Sequence, residues 1–481
     1  MKKLIVIVFI IFGAFLTLCL YRTYAYDTSV VEEVPSTTDL EYTFKIGNSS
    51  IKQITVDSGE TKYYDIVLGN PNNAKISYSV YYEMVSPSTK PDNFSIEYTS
   101  KSTGESTGKV DKNGNITLNL IVTNTSSSAV TVKLGTVAGY VKGGELTLNS
   151  GQVIIPNAPV NAVELITKLN DNSSGDSGSG VYKVTHSAIP ASSSATGSEI
   201  PAVTDYRYYG PNPNNYVCLD MEGQSTCPDK HLYRIIGSIY EELEGANRLK
   251  VIKATPLTDG TTKGFVWDLE GNVWATPTNG NYSNSLTSGS QLMKLLNSGL
   301  WWNGTSGSYN NDSTPATNVN FTNYKLSDKA KSYISTSRYY LVGPDTDGLK
   351  TPSMYLNERS NLFFEEGMTS YWDGMIGLMY SSDYGYAAGN NCFLNTNLDI
   401  YDLYCKDINW LYNSQNFQWF ITSTYTYQGY AYCTYNDEGI RVLICLKSST
   451  VAFVSPTFYL TSSTLITSGD GSIDNPYLIG L

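Results

Sequence analysis

Apolar and polar positions alternate with period two along most of the first third of the chain. Leu40, Tyr42, Phe44 and Ile46 form one such run, and Ile76, Tyr78, Val80 and Tyr82 form a second. Ile116, Leu118, Leu120 and Val122 form a third, and Val130, Val132 and Leu134 a fourth. Successive side chains of a strand point to opposite faces, so this spacing predicts strands with one buried face. Turn formers separate the runs: Asp57-Ser58-Gly59, Asn70-Pro71-Asn72-Asn73, Asn113-Gly114-Asn115 and Gly143-Gly144. About seven short strands over residues 39–157 predict an immunoglobulin-like β-sandwich.

The pattern then changes. Val163, Leu165, Ile166 and Leu169 predict a short amphipathic helix within 158–169. Asn170 to Gly180 is a Ser/Gly/Asp/Asn run that reads as a flexible linker, and 181–203 reads as its loose Ser/Ala/Pro continuation. The segment 158–205 is thus expected to be helix plus linker. Residues 206–481 mix short strand patterns with a few helical stretches, such as Gln291 to Leu300. The expected fold class is mainly β: an Ig-like β-sandwich, then a larger mixed α+β, loop-rich, disulfide-bonded C-terminal domain.

The N-terminus carries a targeting pattern. Lys2 and Lys3 precede an apolar run from Leu4 to Leu20, and Thr23-Tyr24-Ala25 offers the small residues a signal peptidase reads. Residues 1–25 are read as a cleaved secretory signal or as an uncleaved anchor, since the run rises about 25 Å against a hydrocarbon core of ~30 Å. Residues 26–38 are a polar spacer. Leu18 before Cys19 is too large for a lipoprotein cleavage site. The ending Tyr477-Leu478-Ile479-Gly480-Leu481 has no tail of the kind that anchors a C-terminus. Under either reading the body of the chain lies outside the cytoplasm, secreted or at the cell surface.

Composition narrows the partners. The formal net charge is −12 and charged residues make up only 16%, so the chain lacks the basic field that nucleic acid or an anionic membrane surface requires. Membrane contact is expected only through the N-terminal segment. The chain has 39 tyrosines, which favour strands and polar contact surfaces.

Six cysteines follow the targeting segment. An even number in an exported chain reads as disulfides, and six allow 15 pairings. Short loops close most easily, so the expectation is Cys218–Cys227, Cys392–Cys405 and Cys433–Cys445. Zinc is disfavoured, because there is no CxxC pair and only two histidines.

Several stretches of the C-terminal half resemble a family of uncharacterised secreted proteins from gut Bacillota. They are Asn214-Asn215-Tyr216-Val217, Leu232-Tyr233-Arg234-Ile235-Ile236-Gly237 and Ile376 through Ala387 with its Ser382-Asp383-Tyr384-Gly385-Tyr386-Ala387 core. Asn409-Trp410-Leu411-Tyr412-Asn413, Gln418-Trp419 and Ile466-Thr467-Ser468-Gly469-Asp470-Gly471-Ser472 with Asn475-Pro476-Tyr477 complete the set. The resemblance spans residues 180–481. It implies an extracellular bacterial setting, often behind an Ig-like domain, and no known activity. Two departures stand out. Trp419-Phe420-Ile421-Thr422-Ser423 replaces a Trp-Thr-Leu-Ser-Pro stretch, and Val454-Ser455-Pro456 replaces Val-Arg-Pro. The family's Trp-x-x-Ser and Arg-Pro ending, from which this chain departs, resembles, at the level of fold only, that of the C-type-lectin-like proteins and formylglycine-generating enzymes.

No catalytic constellation stands out. Gly175-Asp176-Ser177-Gly178-Ser179-Gly180 has the letters of a serine-protease loop but sits in the linker, without a rigid support. His231 follows Cys227, which is expected to be a half-cystine rather than a thiolate nucleophile. Asp470 and Asp474 are candidate calcium ligands around Gly471, as are Asp399, Asp402 and Asp407. The plain alternative at 470–475 is the turn of the last hairpin. Glu241/Glu242 and Glu365/Glu366 are carboxylate doublets. Neighbours on a strand face opposite ways, so they read as solvated charge rather than a glycosidase pair. Trp267, Trp274, Trp301, Trp302, Trp372, Trp410 and Trp419 read mostly as core. Tyr425, Tyr427, Tyr430, Tyr432 and Tyr435 alternate through a polar stretch and are the candidate binding surface.

These features point to an exported, non-catalytic protein with no cofactor that binds an extracellular glycan or protein. The alternatives are an envelope-associated hydrolase and a self-assembling surface component.

Overall fold

The computed structural model describes residues 43–46, 53–98, 107–140, 146–156, 158–170, 178–262, 264–269, 289–311, 317–344, 348–362, 370–401, 403–411, 417–424, 430–436, 440–447 and 451–480. The targeting segment, the spacer, Gly175–Ser177, Glu365/Glu366 and Trp274 lie outside the described residues. None of the described helices is long and apolar enough to cross a membrane. The chain divides into two compact units, Met1–Ala158 and Pro159–Leu481.

The first unit is the expected β-sandwich. One sheet orders Thr43–Ile46, Glu60–Gly69, Asn115–Asn124 and Phe94–Tyr98. The other orders Gln53–Val56, Val130–Tyr140, Ile76–Ser86 and Thr107–Val110, with Gln152–Ile154 also on Ile76–Ser86. The pairings within both sheets are antiparallel. The alternation read from the sequence decides which side is buried: Ile76, Tyr78, Val80 and Tyr82, with Val132 and Leu134 of the neighbouring strand, join Leu118, Leu120 and Val122 of the other sheet in one apolar cluster. Two buried asparagines hold the turns. Asn70 Nδ2 donates to the carbonyls of Ala74 (2.9 Å) and Val110 (3.1 Å), and Asn124 Nδ2 to those of Val56 (2.8 Å) and Ser128 (2.9 Å). Each amide ties together carbonyls on two adjoining segments.

The second unit is built on a nine-stranded mixed sheet. Its order is Val160–Asn161, Leu465–Ser468, Tyr477–Gly480, Tyr216–Cys218, Leu232–Glu241, Val203–Tyr209 and Gly180–His186. Ala246–Lys253 joins Leu232–Glu241 to Thr457–Tyr459. A smaller sheet orders Val342–Gly343, Gln418–Thr424, Tyr430–Asn436 and Ile440–Lys447. Short helices, among them Thr351–Glu358 and Ser381–Ala387, pack into the same core. The helix Ala162–Lys168 forms where expected, capped by Asn161, whose Oδ1 accepts from Val163 N and Glu164 N.

Two expectations need correction. Residues 181–203 are not loose linker: Gly180–His186 pairs along its whole length with Val203–Tyr209, and Ile189 and Ile200 bridge each other and are buried. The Ser/Gly bias of 170–180 masked a strand whose Val181, Tyr182 and Val184 are apolar and buried. The second unit therefore begins at Pro159 rather than at 206. The helix expected over Gln291 to Leu300 is two pieces, Gln291–Asn297 and Leu300–Asn303. At Gly299 a Cβ would lie 2.7 Å from the Lys294 carbonyl, so the turn that splits the helix needs glycine.

Cys218–Cys227 and Cys392–Cys405 are disulfides, with Cα–Cα separations of 5.9 and 5.6 Å. Cys433 is disulfide-bonded as well. The side chain of Cys445 lies outside the described residues. The described tryptophans follow expectation: Trp267, Trp301, Trp372, Trp410 and Trp419 are buried and Trp302 is half-buried.

Candidate functional site

The second unit holds a buried cluster of charges beside a small cleft lined by tyrosines and charged side chains. Asp205 and Arg207 lie two residues apart on the Val203–Tyr209 strand, so they share a face. Arg207 donates to Asp205 Oδ2 through Nη2 (2.7 Å) and Nε (3.1 Å), and to Asp383 Oδ1 through Nη1 (2.9 Å). Lys250 Nζ reaches Asp383 Oδ2 at 2.6 Å. His186 Nε2 lies 2.9 Å from Asp205 Oδ2, with its ring stacked on Tyr355 at 3.6 Å. These ionic side chains are almost wholly inaccessible to water.

Burial makes every charge here costly, and pairing decides which charges persist. Burial would raise the Asp383 carboxyl, but Lys250 and Arg207 outweigh it and hold it at about 2. Asp205 is likewise pushed up by burial and pulled further down by Arg207 and His186. Burial lowers Lys250 to about 8 against the pull of Asp383. Burial also lowers His186, against its bond to Asp205, so the ring is neutral near pH 7. With Asp205 and Asp383 negative and Arg207 and Lys250 positive, the cluster is electrically balanced.

The cleft above has a volume of about 10 Å³, room for roughly one water, and is bordered by Tyr240, Glu241, Glu242, Arg338, Tyr340, Tyr355 and Arg359 with Ile200, Tyr380 and Tyr459. Glu241 Oε1 accepts from the backbone N–H groups of Leu243 (3.1 Å) and Arg338 (2.9 Å), and its Oε2 from Glu244 N and Arg248 Nη1 (both 3.0 Å). Glu242 Oε1 accepts from Thr196 Oγ1 (3.1 Å) and Arg338 Nη1 (3.3 Å), and its Oε2 accepts from the Tyr340 hydroxyl. Arg338 also grips Asp373 with two bonds of 2.8 Å. The Arg359 guanidinium lies 3.6 Å from the Tyr355 ring centre and donates to the Tyr355 carbonyl. The reading of Glu241/Glu242 as solvated charge facing opposite ways is thus corrected. Glu241 is 2% exposed and both residues border one cleft, because the strand ends there and Arg338 bridges them. Every oxygen of the two carboxylates accepts at least one hydrogen bond, which fixes the orientation of both groups.

The other sequence candidates are scattered. Tyr432 is buried, with its hydroxyl donating to the Pro344 carbonyl, so it cannot be part of a contact surface. Ala431, Cys433 and Thr434 beside it are buried too, because Tyr430–Asn436 is an inner strand of its sheet. The side chains of Tyr425, Tyr427, Tyr430 and Tyr435 lie outside the described residues. Asp470 closes the turn of the last hairpin, accepting from Ser472 N at 2.9 Å. Asp402 lies outside the described residues, and Asp399 sits in the 3-10 turn Leu398–Ile400. Ligand atoms of Asp220, Glu222 and His231 fall within 4.8 Å of one another, a set that could hold a metal. Lys230 already bonds Glu222 (2.8 Å) and Ser327 bonds Asp220 (2.6 Å).

The buried ionic cluster was missed from sequence. A signal was present: Asp205/Arg207 and Arg248/Lys250 are charges at period two inside strands with apolar neighbours, a placement that solvated charges do not need.

No family model and no curated protein matches the chain. Among solved structures, the ASH/PapD-like domain of human CEP192 (PapD-like domain 7) is similar over 24% of this chain and 99% of that domain, at 12% identity and a TM-score of 0.14. A likeness at that score carries no functional weight.

Proposed function

We propose that this is an exported bacterial protein that recognises an extracellular glycan or protein without chemically altering it. The observation that carries the reading is the pair of disulfides at Cys218–Cys227 and Cys392–Cys405, joined by the bonded Cys433. Disulfides persist in oxidising compartments, in keeping with the targeting pattern of residues 1–25. The cleft supports recognition over hydrolysis. Its carboxylates are held by arginine, tyrosine and backbone donors, an arrangement that presents them in fixed positions to hydroxyl and amide groups. Tyr240 and Arg338, half-buried beside it, are residue types that dominate binding energy at interfaces. The four remaining tyrosines of 425–435 belong to the same proposal as a second contact surface.

The test is a glycan array and an extracellular-matrix protein array probed with the full mature chain, beside its Glu242→Gln and Arg338→Ala variants. The expected result is selective binding that both variants weaken at least tenfold. Equal binding by all three removes the cleft from the site. Turnover of any arrayed glycan favours the hydrolase alternative.

A further inference from the structure

We propose that Lys250 and Asp383 form an intramolecular amide crosslink, so that this buried pair is a self-modification site. The proposal does not depend on what the chain binds.

The geometry starts with proximity. Nζ of Lys250 stands 2.6 Å from Oδ2 of Asp383, and both side chains are 1% exposed. Lys250 projects from a strand paired on both sides, with Gly237 opposite it on one flank and Tyr459 on the other. Asp383 sits in the first turn of a helix buried along its whole length. Neither side chain can swing into solvent, so amine and carboxyl are held as intramolecular reactants, the condition that replaces the entropy cost of encounter. Tyr380 and Tyr459 wall the amine at 4.1 and 5.4 Å, excluding the water that would hydrolyse a product.

The surrounding groups match the charges of the step. Burial brings Lys250 to about 8, so the neutral, nucleophilic amine is accessible at neutral pH. Arg207 Nη1 lies 2.9 Å from Oδ1, where negative charge builds when Nζ attacks Cγ. The Tyr380 backbone N–H donates to Oδ2 at 3.0 Å. The Nζ–Cγ bond forms and the Cγ–Oδ2 bond breaks. Two protons of the lysine ammonium pass to Oδ2, which leaves as water, and one hydrogen stays on the amide nitrogen. No oxidant, reductant or co-reactant is needed. The product removes one buried positive and one buried negative charge and leaves Arg207 paired with Asp205, relieving the desolvation that buried ion pairs carry.

The experiment is mass spectrometry of the full chain, reduced and alkylated. The expected intact mass falls short of the mature sequence mass by one water. Protease digestion is expected to give a branched peptide joining the segments around Lys250 and Asp383. Lys250→Arg keeps the charge but cannot form the amide, and is expected to restore the full mass. If that variant does not fold, the branched peptide of the natural chain decides alone. A full sequence mass with separate linear peptides overturns the proposal, as does a lost water mapped to any other residue pair.

Discussion

The two units solve the problem of a stable interior differently. In the Met1–Ala158 unit the interior is apolar, and its buried polar side chains, such as Asn70 and Asn124, serve turns and strand ends. In the Pro159–Leu481 unit the interior mixes apolar side chains with Asp205, Arg207, Lys250, Asp383, Glu241 and Arg248, and disulfides staple its loops. The first kind of core follows from local alternation. The second needs partners that are distant in sequence, since Arg207 and Lys250 meet Asp383 176 and 133 residues away. A buried ion pair gains little over apolar packing but is costly to break, so it fixes one arrangement of elements rather than adding bulk stability.

The sharpest way to break this contrast is Arg207→Met, which strands Asp205 without its main counter-charge and takes one of two cationic partners from Asp383. Removing one partner of a buried pair costs about 3–5 kcal/mol, and chemical denaturation followed by tryptophan fluorescence, whose residues all lie in the second unit, would read it. Leu118→Ala in the sandwich is expected to cost about 2–5 kcal/mol through the cavity it leaves, measured by hydrogen exchange of the Asn115–Asn124 amides. Reduction of the disulfides, or the double change Cys392→Ser with Cys405→Ser, is expected to cost the second unit about 2–4 kcal/mol while leaving exchange in the cysteine-free sandwich unchanged.

Acid separates the two interiors more gently. His186 titrates below its ordinary 6.5 in the folded chain, so the unfolded chain takes up its proton first and stability falls as pH drops through that value. Burial raises the Asp205 carboxyl, but Arg207 and His186 hold it well below its ordinary 3.8, so its stabilisation is present above that value and is lost as pH falls below it. Tryptophan fluorescence against pH is expected to show the second unit loosening across this range. Retention of its full stability at pH 3 would contradict the charge assignments.

Much of the sandwich was legible in the sequence because each strand carries its own instructions. Phe44, Ile76, Leu118 and Val130 mark the buried face without reference to any other segment. Gly180–His186 was not legible, because a Ser/Gly run beside it dominated the composition and its partner strand begins at Val203. The pairings Cys218–Cys227 and Cys392–Cys405 followed from loop length alone. The cleft did not, since Glu242, Arg338 and Tyr340 come together only through tertiary packing. Tyr432 misled for a related reason: alternating tyrosines suit an exposed face and an inner strand equally well, and only the sheet order places it inside.

The central proposal is that the chain lives outside the cytoplasm as a disulfide-stapled protein. The intact mass of the protein isolated from its host, alkylated without prior reduction, tests it most directly. The account predicts no label on Cys218, Cys227, Cys392, Cys405, Cys433 or Cys445, and the same mass reports whether residues 1–25 have been removed. Label on all six would contradict it and return the chain to a reducing compartment.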